Sequence, residues 1–99
     1  MAKTNDHVDI TSLERIVPDE LHPDQATGSG TLRLHTDRYQ FAKHHLVQGS
    51  VLDLACGVGY GTALLSEGPR VTRALGVDIS TAAVNYAVQR YGGERVLYA

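Results

Sequence analysis

The chain has little that would carry it into a membrane or out of a reducing compartment. Its single cysteine in 99 residues, Cys56, excludes an intrachain disulfide and fits a cytoplasmic protein. No apolar run approaches the ~20 residues of a membrane span, and the N-terminal stretch "MAKTNDHVDITSLERIVPDE" has no hydrophobic core of signal-peptide length. Neither sign of charge is in excess: 9 Lys and Arg stand against 11 Asp and Glu, a net charge of -2 with the histidines neutral. Such a balance gives no global field that would draw nucleic acid or an anionic membrane. Internal repeats and low-complexity tracts are also missing. What is there, 42% hydrophobic and 20% charged residues, is the composition of one globular domain of modest size.

Residues 1–30 are polar and broken by Pro18, Pro23 and "TGSG" at Thr27 to Gly30, which predicts an irregular N-terminal segment whose Ile16-Val17 patch can dock on the body. The folded domain is expected over 31–99. Leu32, Tyr39, Ala42 and Leu46 recur at helical spacing, predicting a helix from Thr31 to Val47 that Gly49 ends. "SVLDLA" is a short apolar run followed at once by glycines, the pattern of a buried strand. "YGTALLSEG" predicts a helix stopped at Gly68-Pro69, and "VTRALGVDIS" a second strand centred on Arg73 to Asp78. Ser80 is a good N-cap for a helix that Gly92-Gly93 terminates, and "ERVLYA" begins a third strand. Strand and helix alternating with short turns predict an α/β fold with a parallel sheet and right-handed crossovers, its ligand at the carboxyl ends of the strands.

The loop between the first strand and its helix, "ACGVGYGT", places glycines at 57, 59 and 61. A side chain at Gly57 or Gly59 would stand between the backbone and anything lying over the strand end, and glycine permits the positive φ of a tight turn. Gly61 is expected to let the helix pack close to the strand. The helix N-terminus suits a carboxylate or a phosphate. A dinucleotide fingerprint needs its third small residue one position later, where Thr62 stands, so a nicotinamide cofactor and a dinucleotide-dependent oxidoreductase are disfavoured. A phosphate-binding P-loop needs a lysine, and this loop has none.

"VLDLACGVGYGT" resembles the first motif of the class I S-adenosylmethionine-dependent methyltransferases, with Ala55 where that family usually has its first glycine. "ALGVDIS" resembles the next motif, an acidic residue ending the second strand, and "LHTDRYQFAKHHLVQGS" is similar to the helix that many members place before the first strand. The resemblance implies a Rossmann-like three-layer sandwich binding S-adenosyl-L-methionine. Asp53 would orient the loop and reach the methionine amino group. Ala55, Cys56, Gly57, Gly59 and Tyr60 would line the methionine and ribose. Asp78 would take both ribose hydroxyls, Ile79 would pack on the adenine, and Arg38 and Tyr39 would approach the methionine carboxylate. The function implied is methyl transfer to an unidentified acceptor, with no residue here that looks like a dedicated base.

Family members carry a seven-stranded sheet of order 3-2-1-4-5-7-6, whereas this chain supplies strands 1 to 3, the N-terminal half. Acceptor binding normally follows the third strand. The first strand would then expose an unpaired edge, open to self-association or to a complementary C-terminal half, and a non-catalytic binding module is the alternative reading. Cys56 reads as a small buried apolar residue rather than a nucleophile. His44 and His45 point about 100° apart on their helix and make no metal pair. Tyr86 and Tyr91 read as packing residues.

Overall fold

The computed structural model describes residues 26–99, with side chains from Gly30 onward. The expected irregular segment, up to residue 25, and its Ile16-Val17 patch lie outside the described residues. The order of elements is α1 (Ala26–His45), β1 (Gly49–Leu54), α2 (Tyr60–Ser66), β2 (Val71–Val77), α3 (Thr81–Tyr91) and β3 (Val96–Tyr98). The first helix starts at Ala26 rather than at Thr31 and takes in the "TGSG" stretch. Once packing nucleates a helix, each added residue gains a hydrogen bond, and glycine's cost of roughly 1 kcal/mol does not by itself end it.

The strands form a parallel sheet of order β1-β2-β3. Two right-handed crossovers stepping in the same direction bring α2 and α3 to the same face of the sheet, and α1 lies beside α2 on that face. The anchors between them are specific. A Cβ at Gly76, in the central strand, would lie 2.6 Å from Thr62 Oγ1 of α2, so Gly76 is what lets α2 approach the sheet closely. Val58, Ala83 and Ala87 are buried between the loop and α3, and Tyr86 packs against Val58 and Ala83 as expected. The Ser80 hydroxyl caps α3 by accepting the Ala83 N–H at 3.2 Å. Arg95, just before β3, donates to the Ser66 carbonyl at 2.9 Å and the Val71 carbonyl at 2.6 Å, tying the end of α2 to the start of β2.

The opposite face is bare among the described residues. Leu52, Leu75 and Leu97 are register partners across the three strands, with Leu54 beside Val77 in the next row. Leu52 is 58% exposed, Leu54 70% and Leu97 42%. Parallel sheets are built to have both faces covered, and each of these partly exposed leucines forgoes about half of the roughly 1.5–3 kcal/mol that full burial gives. At the edge of the sheet, β1 has β2 as its one neighbour among the described residues.

Candidate functional site

The site begins where β1 ends. Ala55 has φ 60°, Gly57 φ 60° and Gly59 φ 95°, so the chain turns through the left-handed region three times within five residues. Ala55 is the one described non-glycine residue there, and it pays about 1–2 kcal/mol for the conformation. The departure from the family's glycine therefore falls on a position where glycine is the natural choice. The Cys56 N–H donates to the Val77 carbonyl at 2.9 Å, and the Gly59 N–H closes the turn on the Cys56 carbonyl at 3.2 Å.

The three loop glycines answer to different neighbours. A Cβ at Gly57 would meet nothing within 4 Å, so this residue faces open space at the carboxyl ends of the strands. A Cβ at Gly59 would lie 2.6 Å from Ala87 Cβ and 2.7 Å from the Tyr98 ring, so protein beneath the loop is what excludes a side chain there. A Cβ at Gly61 would strike the Tyr39 ring. The expectation that Gly61 lets α2 approach the strand needs correcting: its close neighbour is α1, and the approach to the sheet depends on Gly76.

Two carboxylates hold the loop from either side. Asp78, at the end of β2, accepts the Gly57 N–H at 2.8 Å and the Ser80 N–H at 2.9 Å. Ile79 follows immediately and is 99% exposed. Asp53, inside β1, accepts the Thr62 hydroxyl at 2.7 Å and the Tyr39 hydroxyl at 3.1 and 3.3 Å. Its side chain thus fastens α1 and α2 to β1. Tyr39 makes this contact with Asp53. Its neighbour Arg38 is exposed.

Tyr60 opens α2, stands edge-on to the Tyr39 ring with centroids 6.2 Å apart, and has its hydroxyl 3.0 Å from His35 Nδ1. Further along, Lys43 lies 3.5 Å from Glu67 just past the end of α2, so α1 and α2 run side by side in the same direction. The first turns of α1 accordingly project past the start of α2, toward the carboxyl ends of the strands.

Burial sets the protonation of the site. It pushes the Cys56 thiol up to about 11, helped by the charges of Asp53 and Asp78, and the Tyr60 phenol up to about 12. Burial likewise raises the Tyr39 and Tyr98 phenols, with the Asp53 charge adding to both. Near neutral pH these groups are protonated, and the Tyr39 phenol is the donor to Asp53. Cys56 is 5% exposed, in keeping with a packing role. No cluster of metal-ligating side chains occurs among the described residues, and no helix among them is long and apolar enough to cross a membrane.

Three contributors have no signal in the local sequence. Tyr98 on β3 donates its hydroxyl to the Gly59 carbonyl at 2.7 Å; the others are His35 on α1 and Gly76 in β2. The partners are 39 residues apart for Tyr98 and 25 for His35, a separation that no local pattern encodes.

The fold is a Rossmann-like α/β fold of the kind found in S-adenosylmethionine-dependent methyltransferases. No family model matches the chain and no curated protein matches it, but solved structures do. One is a chain from the complex between the Haloferax volcanii Trm112 methyltransferase activator and the putative methyltransferase, with TM-score 0.57 and 24% identity over 74% of this chain and 32% of that one. Another is a TehB-like SAM-dependent methyltransferase from Corynebacterium glutamicum, with TM-score 0.52 and 17% identity over 79% of this chain and 45% of that one. At these identities the likeness establishes the fold alone. The chain spans between about a third and a half of the length of these neighbours.

Proposed function

We propose that this chain binds S-adenosyl-L-methionine at the carboxyl ends of β1 and β2 and supplies the cofactor-binding part of a class I methyltransferase. The observation that carries this reading is the Gly57–Asp78 tie, which places an acidic strand end against a glycine with open space above it. An exposed isoleucine follows that acid directly, an apolar surface of the right kind for an adenine ring. The residues present therefore fit the cofactor, and the methyltransferase neighbours support the same reading.

When bound, the cofactor supplies a sulfonium-activated methyl group, so the protein has mainly to orient it and to tolerate loss of the positive charge. Asp78 is the residue assigned to the ribose hydroxyls, and Ile79 to the adenine face. The backbone from Ala55 to Gly59 with Cys56 would lie along the ribose and methionine, and Tyr60 would stand beside them. Asp53 keeps the loop in register through Thr62 and Tyr39. With Tyr39 directed at Asp53, Arg38 is the cation on α1 assigned to the methionine carboxylate.

The acceptor is not specified by these residues, because this fold methylates chemically unrelated substrates. We assign the bare sheet face and the open edge of β1 to the remaining part of a methyltransferase domain, the C-terminal half, on the same or a second polypeptide. The neighbours' greater length supports this. So does area: a few exposed leucines fall short of the ~800 Å² per partner that a stable interface buries, whereas a strand on the edge and helices on the face together reach it. The pairing of a methyltransferase with an activator in the Haloferax complex also supports a protein partner. Light scattering checks this: a chain that is monomeric and unfolds in one sharp two-state transition would contradict a need for completion, and a homodimer would replace the C-terminal half by a second copy.

Calorimetric titration with S-adenosylhomocysteine tests the cofactor reading. Saturable binding is expected, weakened by roughly 1–3 kcal/mol in Asp78→Ala. An unchanged affinity in that variant would remove the ribose assignment.

A further inference from the structure

We propose that Tyr98 is a positioning residue of the cofactor loop: its hydroxyl fixes the left-handed glycine, Gly59, from which both the turn and α2 take their direction. This inference rests on the cofactor reading above. Tyr98 ends β3, the strand farthest from the loop in the sheet order, yet its hydroxyl donates to the Gly59 carbonyl at 2.7 Å. That carbonyl also accepts the Ala63 N–H at 3.1 Å, the bond that starts α2, so one oxygen joins β3, the loop and the helix.

The ring is wedged in place. Alanine Cβ atoms at Gly59 and Gly76 would stand 2.7 Å and 2.9 Å from it, so both glycines are cut to its outline. Neighbouring carboxylate and phenol groups, with burial ahead of them, keep the hydroxyl protonated and hence a donor. Gly59 is also the residue whose N–H closes the turn on Cys56. Moving its carbonyl would shift Gly57, whose N–H is the partner of Asp78. Tyr98 thus acts on the cofactor through the loop.

A ring that merely fills space would be replaced without effect by phenylalanine, so Tyr98→Phe isolates the hydroxyl. The first readout is amide hydrogen exchange of the full chain without cofactor, comparing residues 56–61 with Ala74 and Leu75 in β2. Loop amides are expected to exchange about three- to tenfold faster relative to those of β2. The second is S-adenosylhomocysteine affinity, expected to fall about three- to tenfold. Loop exchange that keeps pace with β2, or an affinity equal to that of the parent chain, overturns the proposal. If the parent chain itself binds no S-adenosylhomocysteine, the cofactor reading fails, and the exchange comparison still decides whether Tyr98 holds the loop.

Discussion

Gly59→Ala puts the geometry of the loop to a quantitative test. Gly59 has φ 95°, a conformation that costs an L-residue about 1–2 kcal/mol. The added methyl would also meet Ala87 Cβ at 2.6 Å and the Tyr98 ring at 2.7 Å. Neither contact can relax cheaply, because Ala87 belongs to the buried face of α3 and Tyr98 is held against Gly76. Overpacking of this kind costs about 1–3 kcal/mol, and displacing Tyr98 also breaks its bond to the Gly59 carbonyl. The variant should lose about 3 kcal/mol or more, a large part of the ~5–15 kcal/mol available to a domain. In urea unfolding followed by circular dichroism, the midpoint should fall by roughly 1–2 M. Two other glycines calibrate the result. Gly57→Ala shares the positive φ but meets open space, so it should lose only the conformational part. Gly93→Ala meets nothing within 4 Å and has no positive φ, so it should be close to neutral. A Gly59→Ala midpoint equal to that of Gly93→Ala would show that neither the left-handed backbone nor the contacts with Ala87 and Tyr98 exclude a side chain at Gly59.

The reverse substitution one turn earlier should act in the opposite sense. Ala55→Gly relieves left-handed strain of about 1–2 kcal/mol and gives back about 0.4–1 kcal/mol in unfolded-chain entropy. A net gain of up to about 1.6 kcal/mol in urea unfolding is expected, and a loss would show that Ala55 is not strained. Tyr39→Phe removes one of the two side-chain donors on Asp53 and should cost about 1–2 kcal/mol by the same assay; no cost would mean that Thr62 alone satisfies the carboxylate. The alkaline limb follows from Cys56, whose thiol is raised from the ordinary 9.0 to about 11 in the folded chain. The unfolded chain releases that proton first, so the stability is fully present below pH 9 and is lost as pH rises toward 11. Cys56→Ala should flatten the curve from about pH 9 to pH 10, before the tyrosines, raised from an ordinary 10.0, add their own loss, and an unaltered curve there would show that the thiol contributes nothing to it.

The order of elements was legible because each boundary carries a local chemical cause. "SVLDLA" is short, apolar and followed by glycines, Ser80 caps its own helix, and Gly92 follows the helix end at Tyr91. Asp78 and the glycine loop were legible for the same reason, since their spacing along one β-turn-α-β unit is a sequence property. What was not legible depends on distance in space. Gly76 reads as an ordinary small residue in a strand until Thr62, Cys56 and Tyr98 are seen around it. Tyr98 and His35 reach partners on other elements, and the positive φ of Ala55 emerges only from the way the turn closes on Val77. The bare face of Leu52, Leu54 and Leu97 is intermediate between these cases. The sequence shows that the strands are apolar, and only the crossovers, by placing both helices on one side, show which face is left uncovered.

Chemical-shift mapping with an isotope-labelled chain and S-adenosylhomocysteine, with NAD as the competing ligand, tests the cofactor site most directly. Shifts concentrated at Gly57, Gly59 and Asp78 to Ser80 are expected on adding S-adenosylhomocysteine, with NAD producing none. A well-folded spectrum that S-adenosylhomocysteine leaves unmoved at those residues, or that NAD moves there instead, would contradict it.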